Sequence, residues 1–356
     1  MRATNTIHTY AYQKLLVILA ASCCGFTTKP QELSLSYTSE WQTDFQTKAN
    51  WINLLQAETS LNISSGLTAR IGTISTCRTN KEHIVSDMLT YSNIEEGNIP
   101  IALNRFGVSV NKENFSIFAG VGNVNDSFFA TQLTSLFTNS SCGIFPTISC
   151  NFPIANFPDA AMGLEGRYES ENITVNCAVY NGKGHHKFIG NDCVFRIRPS
   201  SDGIFNINAV NYSKYDNNYN LGFGVYHGRI NGDEDGTQKT FPTEMEEKDK
   251  TRFYYWLYTE QKIIQNLSLI AQYSQCPAIR NGCRNFYGIG IAYDARKYDV
   301  ALYSCYADFT DNPEWASELT FRYDLTSAIY LQTSLHYIRN SNTRGLVGLF
   351  RFGITI

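Results

Sequence analysis

The sequence predicts an all-β chain that forms a transmembrane antiparallel β-barrel of about sixteen strands, with eighteen as the alternative. Three observations predict it. Apolar and polar residues alternate through most of the chain, in segments of about ten residues. Only 17% of the 356 residues are charged, against about a quarter in soluble domains, while 22 Tyr and 22 Phe raise the aromatic share to 13%. The mean hydropathy is −0.25, so the chain as a whole is too polar for a bundle of membrane helices. The net charge of −3 leaves no basic footprint for nucleic acid.

The N-terminus reads as an export signal covering residues 1–24. Arg2 and Lys14 precede the apolar stretch from Leu15 to Ala21, and the small residues Ala20, Ser22 and Gly25 follow. The stretch is too short to span a bilayer as a helix. Ala20-Ala21-Ser22-Cys23 also loosely matches a lipoprotein box, and a buried N-terminal helix is the structural alternative. Residues 25–356 are then one domain working outside the cytoplasm, with no linker inside it.

The strands follow in order. Phe115, Ile117, Ala119 and Val121 alternate with Ser116, Gly120 and Gly122. Met162, Leu164 and Tyr168 alternate with Glu165 and Arg167, and Tyr287, Ile289, Ile291 and Tyr293 with Gly288, Gly290 and Asp294. Leu319, Phe321 and Tyr323 alternate with Glu318, Thr320 and Arg322. Ile329, Leu331, Leu335 and Tyr337 alternate with Gln332, Ser334 and His336. Phe350, Phe352, Ile354 and Ile356 close the chain against Arg351, Gly353 and Thr355. The polar set is Gly, Ser, Asn, Gln, Arg and Glu rather than a Lys/Glu solvent face, and aromatics gather near segment ends, as membrane interfaces favour. About seventeen candidate segments lie between Leu33 and Ile356. Single-chain bacterial barrels have even numbers, so one of them is surplus.

Two connections are long. Residues 123–159 carry Pro146, Pro153 and Pro158 with several Phe, too apolar for a solvated loop; the segment either folds into the barrel and narrows it or forms an ordered external cap. Residues 231–250 contain Asp233-Glu234-Asp235-Gly236 and read as a charged, solvated loop, too short in its acidic run for a calcium site. Of ten cysteines, Cys23 and Cys24 sit at the signal, and none forms C-x-x-C. Cys142 with Cys150, and Cys276 with Cys283, bracket short stretches and are expected to close loops as disulfides in an oxidising compartment; thiols packed as small hydrophobes are the alternative. Cys177, on an apolar face, reads that way.

Several stretches resemble the carbohydrate-selective porins, the OprB-like family. Phe137-Thr-Asn-Ser-Ser-Cys-Gly-Ile-Phe-Pro146 and then Phe157-Pro-Asp-Ala-Ala-Met-Gly163 resemble its F-x-N-S-S-x-G…P stretch and the P-x-x-A-x-G run entering a strand. Ala178-Val-Tyr-Asn-Gly182, Gly224-Val-Tyr-His227 and Tyr255-Trp-Leu-Tyr-Thr-Glu-Gln261 resemble its VYDG, GWYH and YLxxDQ segments. Glu318-Leu-Thr-Phe-Arg-Tyr323, Leu331 to Asn340, and Tyr91-Ser-Asn-Ile-Glu95 are similar to further family stretches, in the same order along residues 85–356. The chain departs from the family in its cysteines, in Glu260, Thr333 and Ser341, and in ending on Ile356. The resemblance implies a divergent porin domain in the outer membrane of a Gram-negative bacterium, surrounded by lipid, forming a homo-oligomer or not, and passing sugars and small polar solutes.

A pore needs weak, multiple contacts. Alternation points Glu165, Arg167, Arg196, Arg198, Asn206, Asn208, Glu318 and Arg322 into the bore, with Glu95 and Arg105 on the matched early segment. Most weight falls on Glu165, Arg167 and Arg196, near the long connection. As an alternative to a solute contact, each inward charge is a wall ion pair. No G-x-S-x-G, H-E-x-x-H or phosphate loop is present, and no cofactor or enzymatic activity is expected. His185-His186 reads as part of a solvated loop rather than a metal site. A secreted or surface-attached β-rich binding protein without a pore is the competing functional reading.

Overall fold

The computed structural model describes residues 32–94, 96–228 and 250–356. The export signal, Glu95 and the acidic run 233–236 lie outside them. Sixteen strands follow one another: β1 Glu32–Thr43, β2 Ala49–Ser64, β3 Leu67–Arg78, β4 Ile99–Lys112, β5 Phe115–Gly122, β6 Ala161–Glu169, β7 Ile173–Asn181, β8 Ile204–Lys214, β9 Asn217–Gly228, β10 Lys250–Ile264, β11 Leu267–Gln275, β12 Cys283–Asp294, β13 Tyr298–Phe309, β14 Glu314–Asp324, β15 Ile329–Arg339 and β16 Arg344–Thr355. Each pairs antiparallel with its sequence neighbours. β1 pairs with β16 from Ser36↔Thr355 to Thr43↔Gly348, which closes the sheet and removes its edges. The predicted sixteen-stranded transmembrane barrel is therefore the fold.

The surplus seventeenth segment has a physical explanation. Val194-Phe195-Arg196-Ile197-Arg198 alternates like a strand but pairs with no strand of the barrel. It belongs to the connection 182–203, where Pro199 opens a four-residue helix, Pro199–Asp202. Its order comes from Arg196, which pairs with Asp192 (3.1 Å) and Asp202 (2.9 Å).

Seven short turns and both ends of the barrel chain lie on one rim. In the turn 214–217, Tyr215 and Asp216 both take positive φ, the hairpin geometry that matches strand twist. The longer connections lie on the opposite rim. Two sets of aromatics mark the two rims on the outside: Phe115–Tyr168, Tyr212–Tyr219 and Tyr298–Phe321 near the short turns, and Tyr255–Tyr273–Tyr287 and Tyr306–Trp315 toward the long connections. Between them, exposed Leu221, Phe223, Leu257, Ile289, Leu302 and Phe350 form an apolar band.

Register fixes the inward set. Glu40 opposes Arg351 and Ile52, Glu165 opposes Phe118 and Ala178, and Glu318 opposes Tyr303 and His336. Inward aromatics lie flat on glycines of the next strand. A side chain at Gly222 would fall inside the Trp256 ring, and one at Gly163 inside that of Tyr180. These close approaches require glycine and explain why it recurs on the inward face.

Candidate functional site

The site is built by a connection folded into the ring. Residues 123–160 leave β5, cross inward and return to β6. Their short helices are α1 Ser140–Gly143 and α2 Pro146–Ser149, with Pro146 where a missing N–H does no harm. Phe128, Phe129, Phe137, Phe145 and Phe152 pack on the inward residues Tyr226, Tyr254, Trp256, Phe286 and Tyr303. The apolar composition noticed in the sequence is thus satisfied inside the barrel, not by an external cap.

Polar wall groups hold the connection at intervals. The Thr131 hydroxyl at its inner turn bonds Tyr258 (2.9 Å) and donates to Glu260 (2.5 Å). Gln332 donates to the Leu136 carbonyl at 2.7 Å, and Gln272 to that of Cys142 at 2.7 Å. The Glu318 carboxylate accepts the Thr138 N–H (2.8 Å), the Thr138 hydroxyl (3.0 Å) and the Asn139 N–H (3.0 Å), and His336 meets the same hydroxyl at 2.8 Å. Three stretches read separately in the sequence, around Phe137, Glu318 and Leu331, therefore meet in space.

A second connection, 79–98, is held in the same way. Glu314 accepts from the Met88 and Leu89 N–H groups and from Asn340. Glu40 accepts from Ser92 and pairs with Arg351 at 2.6 Å. Buried backbone donors and wall carboxylates satisfy each other, which leaves few orphan groups inside.

Arg105 and Glu165 form a buried bidentate pair, 2.7 and 2.9 Å, with the guanidinium 3.7 Å above the Phe118 ring. Glu165 also accepts from Ser127 and Tyr180, at 3.1 and 2.9 Å. Its acceptor capacity is spent inside the protein, and through Ser127 it ties the connection to β6. Beside this pair lies Asp126, whose edge reaches water while protein surrounds its carboxyl. Crowding by protein raises its carboxyl to about 6; Arg105 opposes the rise, and Glu58 and Glu165 add to it.

Toward the short-turn rim the inward face is polar and wet. Glu58 and Arg167 are exposed, and Arg70 and Glu260 are half-buried. Arg167 pairs with Glu169 at 2.9 Å, and Lys262 with Asp216 at 2.8 Å. Arg322 lies 4.0 Å over the Tyr330 ring and bonds Asp324. The interior thus has two halves: one filled by folded connections, one lined by charges in water.

The comparisons with known proteins enter here. No family model matches the chain, and no curated protein sequence matches it. Solved structures do. OprB of Pseudomonas putida at high pH superposes with a TM-score of 0.75 at 13% identity, covering 91% of this chain and 94% of that one. OmpT of Vibrio cholerae, an outer membrane protein solved as a loop L8 deletion mutant, gives 0.59 at 10% identity, covering 91% and 98%. A mutant Rh. blastica porin gives 0.58 at 8% identity, covering 91% and 99%. The fold is the porin barrel.

Within that porin fold, the residues expected from sequence fall into four groups. Glu165, Arg105 and Glu318 do point inward but are consumed in holding the folded connection. Arg167 and Arg322 point inward and meet water. Arg196 and Arg198 are not on a wall strand; they belong to the connection 182–203, so their inward assignment is corrected. Asn206 and Asn208 face outward, because β8 pairs Phe205 with Tyr180 and Ile207 with Ala178, which puts its odd-numbered residues inside. Glu95 lies outside the described residues.

Among the described residues, neither expected pair is joined by a disulfide. Cys142, Cys150, Cys276 and Cys283 are all thiols, with Cys142 buried in the folded connection, Cys276 buried just after β11 and Cys283 buried at the start of β12. His185 and His186 do lie in a loop, but an ordered one. His185 forms a bridge with Ala160, and His186 bonds Asp159 at 2.8 Å. That bond raises the His186 pKa, while burial lowers that of His185.

Sequence reasoning missed Glu40, Glu314, Asp126 and Glu260. The two wall residues Glu40 and Glu314 carry the same alternation signal as Glu318. Asp126 carries none, since its position depends on how the connection folds.

Proposed function

We propose that this protein is an outer-membrane channel through which small polar solutes, carbohydrates among them, diffuse, and that it catalyses no reaction. The observation that carries this reading is the pairing of an apolar outer band with a water-exposed, charged inner face on the same strands. A soluble sandwich has no use for charges enclosed by its sheet.

The mechanism is passive. A solute entering the wet half exchanges part of its hydration for brief contacts with Arg167, Arg322, Glu58, Arg70, Asp126 and Glu260. Guanidinium and carboxylate groups bond neighbouring hydroxyls, and passage requires that these contacts stay weak enough for the solute to leave. The folded connections narrow the remaining path. Carbohydrate preference rests on the sequence resemblance; the superposition on OprB, at 13% identity, supports the barrel. The rival reading, a barrel with a non-conducting interior, is favoured by the apolar core around Trp256 within the ring.

Liposome swelling tests the reading. Purified protein should admit neutral mono- and disaccharides faster than amino acids of matched size. Equal rates would leave a general pore, and no swelling would end the channel reading. Arg167→Ala should change the sugar rates; unchanged rates would remove that residue from the path.

A further inference from the structure

We infer that Cys150 and Cys283 are the two ends of a covalent latch, a disulfide that fastens the inward-folded connection to the barrel wall. The pairing differs from both local pairings that the sequence spacing favours, and it stands whether or not the barrel conducts.

The argument starts at Asn151. Its side-chain amide donates to the Cys283 carbonyl at 2.8 Å, and its side-chain oxygen accepts the Cys283 N–H at 2.8 Å. Residue 151 is thereby locked within one side chain's length of Cys283, against Gly282, where even a Cβ would collide with the amide. Cys150 is its immediate neighbour, and α2 just before it packs on β12. The Cys150 thiol donates to the Met88 carbonyl at 3.6 Å and the Cys283 thiol to that of Asn285 at 3.4 Å, so each gives up a weak backbone contact when the bond forms. Cys276 is also near, its backbone N–H bonding the Arg284 carbonyl at 2.9 Å, but it lies fully buried and an oxidant reaches it late. Cys150 is only partly buried, so an oxidant can reach it first. Disulfides require Cα atoms within about 7 Å, a limit that restricts the partners of Cys150 to residues held as close as this one.

The chemistry is thiol–disulfide exchange with a disulfide-bearing oxidant. The Cys150 thiolate attacks one sulfur of the oxidant and displaces the other as a thiolate. The Cys283 thiolate then attacks the Cys150 sulfur and releases the second. Two protein thiols lose two electrons and two protons, and the oxidant's disulfide is reduced to two thiols. The product closes a loop of well over 100 residues and ties α2 to β12, so it constrains the connection far more than either short pairing would.

The test uses the full chain, reduced, folded in detergent, and then treated with oxidised glutathione. Remaining thiols are alkylated after unfolding, and the non-reduced digest is read by mass spectrometry. A peptide pair joining Cys150 to Cys283 is expected, lost on reduction, absent from Cys150→Ser and Cys283→Ser, and retained in Cys276→Ser. Heat-modifiable gel migration confirms that each variant is folded. Recovery of both cysteines as alkylated peptides, or of Cys150 joined to Cys142 or Cys276, or of Cys276 joined to Cys283, overturns the inference.

Discussion

Replacing Glu318 by Ala should release the folded connection while leaving the barrel closed. The carboxylate is 1% exposed and accepts three hydrogen bonds from Thr138 and Asn139. Two of the donors are buried backbone N–H groups. Leaving each without a partner costs about 1–3 kcal/mol. Water entering the vacated space restores part of that, so a net loss of about 3 kcal/mol for docking is expected. Each 1.4 kcal/mol is about a tenfold change in population, so the undocked fraction rises about 100-fold. Cys142 is a built-in reporter: it is buried in the same connection, and burial raises its thiol pKa. In the reduced protein, Cys142 alkylation, followed peptide by peptide, should accelerate about 100-fold in Glu318→Ala and much less in Glu318→Gln, which keeps an acceptor. The barrel itself should stay heat-modifiable. An unchanged Cys142 rate would refute the idea that this carboxylate anchors the connection.

Three further outcomes are expected. Arg105→Met should lower the thermal unfolding midpoint, because it leaves the Glu165 charge buried at a cost of about 3–5 kcal/mol, while the double change Arg105→Met with Glu165→Met should be milder; calorimetry in detergent distinguishes them. Gly222→Ala should sharply reduce the folded fraction on an unheated detergent gel, and Trp256→Leu in the same chain should restore part of it. Asp126 titrates at about 6, charged above and neutral below, so cation preference in bilayers should fall as pH drops through 6; Asp126→Asn should abolish that pH dependence.

The barrel was legible because alternation is a local signal repeated many times. β12, β14, β15 and β16 can each be read from their own residues, and register only confirms the two faces. Arg196 and Arg198 show where the signal fails: a short alternating run beside Pro199 has the pattern of a strand without a neighbour to pair with. Asn206 and Asn208 failed differently. The inward face of β8 is Phe205, Ile207 and Ala209, because the folded connection packs there, so polar-inside no longer holds. Facing found Glu165 and Glu318 but not their role, since that role depends on Ser127, Thr138 and Asn139 arriving from a distant segment. For the cysteines, spacing in sequence points to local pairs, whereas Asn151, by bonding the Cys283 backbone, brings Cys150 toward a strand more than 100 residues away.

The central claim is that this closed sheet encloses a water-filled path despite the connections folded into it. Conductance of purified, folded protein in a planar bilayer tests it most directly. Discrete steps of uniform size that persist at low voltage are expected. A heat-modifiable, fully folded protein that inserts into the bilayer and passes no current would contradict the account.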